Sequence, residues 1–327
     1  MSVAVAITAA LLASTGAPAE KGVALGLFSA DPDYRYTELL EEIVETGATH
    51  VSITWVWWQD DVRANDIHRV AGWSATDEQI LDTLKRAKAA GLHVTAFPIV
   101  RLVKSEANEW RGRIRPTNED AWWSSYTAFM IHALSLAKQA GADRLCIGSE
   151  LLTREPMRVR WLELIERVRM RAPDLELLYS ANWDHFQPVS FWDAVDVVGL
   201  TAYWELTKDP DPSVNDLVFA WSAIRPALLD WSRRTGRRFV FTEVGYPSLD
   251  GGASWPWNET RKAPVDLDEQ RRAYEAFVRA WSGVEALQGA YFWNWFGFGG
   301  PDDTNYTPRK KPAADVLRRW YSSPRSG

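Results

Sequence analysis

Two glutamates end the most chemically suggestive runs of this 327-residue chain. Cys146-Ile147-Gly148-Ser149-Glu150-Leu151 is a compact apolar stretch that finishes on Glu150, and Phe241-Thr242-Glu243-Val244-Gly245-Tyr246-Pro247 carries Glu243 in the same way. A carboxyl group at the mouth of a buried strand can donate a proton, accept one or attack a carbon centre. Two such groups flanking one bond are what glycosidic cleavage needs: one protonates the leaving oxygen, while the other attacks carbon or activates water. A single strand-end glutamate can equally answer a neighbouring arginine in a salt bridge. A pair among strand-end aromatics points to chemistry. If the pair works by double displacement, its carboxyl groups should lie about 5–5.5 Å apart, against roughly 6.5–9.5 Å for an inverting pair.

Other strand ends supply a lining suited to sugars. Asn182, Trp183 and His185 lie in Ser180-Ala181-Asn182-Trp183-Asp184-His185, Trp204 ends Thr201-Ala202-Tyr203-Trp204, and Trp58 closes a run ending Trp57-Trp58. Trp293 and Trp295, two apart on an expected strand, should share one face, and one of them should floor a cleft. The chain has 19 Trp, more than a core needs, because a buried indole N–H wants a partner. Flat aromatic faces beside polar groups suit pyranose rings. Trp161, Trp221, Trp231, Trp281 and Trp320 fall on helical patterns and are expected in the core. Asp60, Asp61 and Glu205 are spare strand-end carboxylates.

Several classes fall away. The five histidines are scattered without an HExxH pattern, and Cys146 is the one cysteine, so no metal, disulfide framework or cofactor is expected. Ser149 and Ser180 lack a Gly-x-Ser-x-Gly elbow. The net charge is −6. Arg111, Arg113 and Arg115, or Arg309-Lys310-Lys311, are short enough to be solvated faces or isolated contacts, so nucleic acid is not an expected partner.

These residues need a scaffold. Eight β-rich runs alternate with amphipathic stretches: 23–28, 50–58, 93–100, 144–150, 176–183, 195–204, 238–247 and 289–296. Helices are expected over Thr76–Ala90 and Glu119–Ala140, started by Thr76-Asp77 and Asn118-Glu119 and stopped by Gly91 and Gly141. Eight β/α units predict one α/β domain, a (β/α)8 TIM barrel over residues 22–327. A doubly wound open sheet is the runner-up, weakened by the lack of a Gly-x-Gly-x-x-Gly or Walker A sequence. Residues 1–21 read as a signal peptide or flexible leader: an apolar stretch from Val3 to Ala13 precedes Ala17-Pro18-Ala19, without a basic n-region. That predicts a secreted or periplasmic protein, or a cytoplasmic one if the leader is not cleaved. The stretch is too short to anchor in a membrane.

Taken together, the chain resembles a glycoside hydrolase of clan A, and within it family 113, the barrel-only β-mannanase group. The resemblance rests on Trp110-Arg111-Gly112, Ile147-Gly148-Ser149-Glu150-Leu151, Ser180-Ala181-Asn182-Trp183, Phe191-Trp192-Asp193-Ala194-Val195-Asp196, Phe241-Thr242-Glu243-Val244-Gly245-Tyr246 and Phe292-Trp293-Asn294-Trp295, in this order. It implies Glu150 as acid/base, Glu243 as nucleophile, Tyr203 beside the nucleophile, and a tryptophan from the eighth strand under the sugar. Trp110, Ser149 and Tyr246 join the substrate-binding candidates through these segments. Ser149 stands where many clan members carry an Asn that contacts the sugar 2-hydroxyl, which bears on the choice of mannose over glucose. The implied activity is retaining cleavage of a β-linked polysaccharide or oligosaccharide, first of all endo-β-1,4-mannan. A catalytically silent sugar-binding barrel and an exo-glycosidase or transglycosylase on the same site are the alternatives. The loop Leu249–Pro264 has no assigned role.

Overall fold

The computed structural model describes residues 19–323. Most of the expected leader lies outside them, but its last three residues do not: Ala19 precedes the first strand, and Glu20 and Lys21 already belong to it. Eight strands, β1 (Glu20–Gly26), β2 (His50–Gln59), β3 (His93–Leu102), β4 (Arg144–Ser149), β5 (Glu176–Ala181), β6 (Val197–Thr201), β7 (Phe239–Val244) and β8 (Leu287–Phe292), pair in parallel and in sequence order. β1 pairs with β8, so the sheet closes into a barrel.

The helices are α1 (Thr37–Glu45), α2 (Asp77–Ala89), α3 (Glu119–Ala140), α4 (Arg158–Arg169), α5 (Val214–Thr235), α6 (Leu267–Trp281) and α7 (Pro312–Ser322). The start and stop signals act as the sequence suggests. Thr76 and Gln79 form a reciprocal capping box, Asn118 accepts from the Ala121 N–H, and Gly141 ends α3 at φ 68°, which costs glycine little.

One expected unit is missing. Between β5 and β6 the described residues contain no α-helix, only a 3-10 turn at Trp192–Ala194. The link is short and carries Pro188, which discourages a helix. Aromatic side chains fill the space instead: Phe191 stacks on Trp161 at 4.5 Å, and Phe186 and Trp192 pack edge-on against Trp231. Trp161, Trp221, Trp231, Trp281 and Trp320 are all buried in the core, as their helical spacing predicts.

The barrel interior holds a small apolar plug of Val56, Phe97, Ile99, Cys146, Leu178, Val197, Val240 and Tyr291. Strands end earlier than the hydrophobic runs suggest, so Asn182, Trp183, Tyr203 and Trp293 stand in the loops just past β5, β6 and β8.

Candidate active site

Strand alternation alone would not aim Glu243 inward. Val240 belongs to the interior plug, whereas Phe239 and Phe241 pack outward against Trp281, so strict period-2 parity sends Glu243 outward as well. The β7–β8 register shifts between Phe241 and Val244, and the β6–β7 register shifts between Leu200 and Thr201. Such bulges re-aim side chains at barrel rims. Here Glu243 turns into the cleft. Gly245 then lets the chain pass under β8, since a Cβ there would sit 2.8 Å from the Trp293 carbonyl oxygen.

Glu150 is aimed by another irregularity. The β4–β5 register breaks between Cys146 and Ser149, and Glu150 itself takes φ 53°, a left-handed conformation that L-residues seldom adopt. Neighbouring bonds hold it there. The Glu150 N–H donates to the Ser180 carbonyl at 2.8 Å, and the Leu151 N–H donates to the Tyr179 hydroxyl at 3.1 Å. That hydroxyl donates in turn to buried Glu155 at 2.8 Å, whose other oxygen meets His185 Nδ1 at 2.9 Å.

Both glutamates line one cavity of about 720 Å3 at the C-terminal end of the barrel. Arg111 Nη2 donates to Glu150 Oε2 at 2.5 Å, and the Tyr203 hydroxyl donates to Glu243 Oε2 at 2.9 Å. Burial, followed by the negative charge of Glu150, pushes the Glu243 carboxyl up to about 7, although Arg111 and the Tyr203 hydrogen bond pull the other way. Tyr203 is itself pushed well above the usual phenol range, first by burial and then by Glu243, so it remains a donor. Glu243 therefore holds its proton more tightly than an ordinary carboxyl does.

Of the expected binding residues, Trp110, Asn182, Trp183, Tyr203 and Trp293 line the cavity. Trp110 folds over Gly112, where a Cβ would come within 2.5 Å of the ring. Others do not line it. Trp295 is 1% exposed, and its indole N–H donates to Glu42 on α1 at 2.8 Å. The pairing of Trp293 and Trp295 on one face fails because β8 ends at Phe292, before either residue. Tyr246 is fully buried against Tyr274, and Ser149 is buried with its hydroxyl unpartnered. His185 is bound to Glu155 and does not line the cavity. Trp204 stands edge-on between Trp183 and Trp221, and Trp58 lies under the Arg101 guanidinium. Asp60 faces His68, Asp61 closes a turn on Arg63 and Ala64, and Glu205 is exposed outside the cavity.

Sequence reading missed Arg101, Arg111, Arg113, Trp257, Glu259 and Tyr306, all of which line the cavity. Arg111, first read as a solvated or isolated contact, is the ion-pair partner of Glu150. Its signal was the Trp110-Arg111-Gly112 segment. Trp257 and Glu259 lie in the loop left unassigned, and nothing local marks Arg101.

A closed (β/α)8 barrel with two buried carboxyl groups in one cleft is an architecture that glycoside hydrolases use. The chain belongs to Glycoside Hydrolase Family 113, whose family model matches residues 30–304. Among solved structures it is similar to the GH113 β-mannanase of Alicyclobacillus acidocaldarius in complex with ManMIm, at 27% identity and a TM-score of 0.83, over 94% of this chain and 99% of that one. A GH113 β-1,4-mannanase at 22% identity gives the same TM-score over 94% and 100%. The β-glucuronidase of Ruminococcus gnavus, at 14% identity and a TM-score of 0.64, shares the fold over 93% of this chain and 50% of its own. No curated protein sequence matches the chain.

Proposed function

We propose that the protein is a retaining β-mannanase that cleaves β-1,4-linked mannan by double displacement, with Glu243 as nucleophile and Glu150 as acid/base. The observation that carries this reading is the meeting of the strand-four and strand-seven glutamates in one cavity, each with its own hydrogen-bond donor. A barrel that merely held sugar has no use for a second buried carboxyl. The similarity to GH113 β-mannanases supports the choice of mannan.

In the first step the Glu243 carboxylate attacks the anomeric carbon while Glu150 protonates the departing oxygen. In the second, Glu150 takes a proton from water as the water oxygen attacks the anomeric carbon, and the bond from that carbon to Glu243 breaks. Glu150 must give up Arg111 to carry that proton, so the incoming sugar and its leaving oxygen have to compete with the 2.5 Å ion pair. Tyr203 steadies the Glu243 carboxylate before attack, and Trp293 offers its face to the sugar beside it.

The test is a polysaccharide panel of mannan, glucomannan, xylan, β-glucan and galactan, with product sizing and NMR of the first-formed anomer. Glu150→Ala should lose about 10²–10⁴-fold on polysaccharide. It should still form the intermediate from an activated aryl glycoside and recover turnover with azide. Rescue of Glu243→Ala in place of Glu150→Ala would show that the two roles are exchanged. A first product of inverted configuration would end the double-displacement reading.

A further inference from the structure

One wall of the cavity carries more fixed positive charge than the acids around it answer. Arg101, Arg111 and Arg113 all line the cavity, and all come from one stretch: Arg101 next to the end of β3, the other two from the 3-10 turn Arg111–Arg113 in the β3–α3 loop. Three carboxyl groups face the same space. Glu150 is taken by Arg111 at 2.5 Å. Glu243 is pushed up to about 7, towards its neutral form, and its hydrogen-bond partner is Tyr203. Glu259 comes from the β7–α6 loop and meets the Tyr306 hydroxyl at 3.4 Å. Among the described residues, neither Arg101 nor Arg113 forms an ion pair.

Both guanidinium groups hang from fixed backbone. The Arg101 guanidinium lies over the Trp58 ring at 5.6 Å, and Trp58 is braced by Trp73 at 5.1 Å and by its backbone bridge to His68 at 2.7 and 2.8 Å. A guanidinium stacked on an indole keeps its in-plane N–H groups free for an acceptor. Arg113 closes a pinned turn. Its N–H donates to the Trp110 carbonyl at 2.8 Å, while Thr153 donates its N–H to the Gly112 carbonyl at 3.3 Å and its hydroxyl to the Ile114 carbonyl at 2.5 Å. Partial desolvation, followed by the charge of Arg111, pulls the Arg101 guanidinium below its usual range, with Glu259 opposing. An anion seated between these groups would relieve that cost, and the planar fork of arginine fits a carboxylate. In a β-1,4-linked hexose chain C1 and C4 are taken by the linkages. C6, oxidised to a carboxyl, gives the ring a charge without disturbing the backbone.

We propose that Arg101 and Arg113 form a carboxylate-recognition site in the wall of the cleft, which selects β-1,4-linked chains containing hexuronic acid rings over wholly neutral ones. The inference rests on the reading of the protein as a β-1,4-mannan hydrolase and narrows its substrate to an acidic form of that chain.

The test uses mannan lightly oxidised at C6, so that scattered mannuronate rings carry the charge, and the methyl ester of the same polymer, which keeps the shape and loses the charge. The wild type should cut the acid with kcat/KM at least about tenfold above the ester, as expected for a charge-assisted guanidinium–carboxylate contact. Arg101→Gln combined with Arg113→Gln should bring the acid-to-ester ratio close to one, and each single variant should fall between. The rate on the ester, read on the same preparation, reports that a variant is folded. If the double variant cuts neither polymer, the single variants decide. Lys104→Gln removes an exposed positive charge from the same loop but outside the cavity, and should keep the wild-type ratio. A wild type without preference for the acid, or arginine variants that keep the preference, overturns the site while leaving mannan hydrolysis intact. So does a loss in Lys104→Gln as large as in the arginine variants, which would place the preference in the field of the whole surface. If the wild type cuts neither mannan nor its derivatives, the mannan reading falls, and the same acid and ester pair is prepared from the glucomannan or β-glucan that it cuts. A wild type that cuts none of these, and binds acid and ester with equal affinity in calorimetry, overturns both.

Discussion

The two ends of the barrel bury the same residue types to opposite effect. At the N-terminal end, Glu20 of β1 takes both Nη atoms of Arg144 from β4 at 3.0 Å each. It also accepts the Tyr291 hydroxyl at 2.7 Å and the Gln288 amide at 3.0 Å. Burial alone would raise its carboxyl, but Arg144 and the other donors hold it at about 2. At the C-terminal end two carboxyl groups share one guanidinium, that of Arg111, and Glu243 keeps a single strong donor in Tyr203. There burial and the neighbouring charge win, and Glu243 rises to about 7. The count of donors per carboxyl decides whether a buried charge fastens the barrel or stays free to exchange a proton.

The largest expected effect breaks the upper cluster. Glu243→Gln should cost at least ~10⁴-fold in kcat on polysaccharide, because no group remains to attack. The same substitution should stabilise the fold. Glu243's folded value lies above its unfolded one, so its ionisation costs stability increasingly as pH climbs from the usual glutamate range through about 7. Urea unfolding at pH 8 should show a gain on the order of 1–3 kcal/mol, which disappears below pH 4.5. A variant no more stable than wild type at pH 8 would mean that the upper cluster carries no such cost.

The lower cluster should respond in the opposite sense. Arg144→Met strips Glu20 of its bidentate partner and should destabilise by about 3–5 kcal/mol, read as a fall in the urea midpoint. Glu20→Gln is milder, at ~3 kcal/mol near neutral pH, from the fall of its carboxyl to about 2. Here the folded value lies below the unfolded one. The contribution is complete above the usual glutamate range and fades as pH drops towards about 2, so the curves for wild type and variant should converge in acid. Parallel curves would place the effect in packing. Neither lower variant should change KM for oligosaccharide.

The smallest effect sharpens the upper cluster. Tyr203→Phe removes one hydrogen bond to the Glu243 carboxylate and should lower kcat/KM about tenfold. It should also move the acidic limb of the pH profile upward, because the lost donor favoured the ionised form. An unchanged limb would mean that Tyr203 only packs there.

Much of this was legible in the chain itself. Buried strands, capped helices and the strand-end positions of Glu150 and Glu243 depend on local hydrophobic periodicity, Asn118 and Thr76 at helix starts, and Gly141 at a stop. These signals act within a few residues and need no tertiary context. The resemblance to the family adds Tyr203, which the structure places on Glu243.

Tertiary structure decided which of the candidates meet. Trp293 enters the cavity while Trp295 turns to Glu42, and Glu243 points inward against its parity, because period-2 alternation does not survive a strand end or a bulge. Arg111 finds Glu150, and Arg144 finds Glu20, only once barrel closure brings distant strands together. No sequence spacing encodes those separations. Trp257 belongs to the same class: its loop reads as featureless until Glu269 and Tyr306 fix it over the cleft. Short-range periodicity set the elements and the catalytic candidates of this chain, and the closure of the barrel, with its bulged rims, chose their partners.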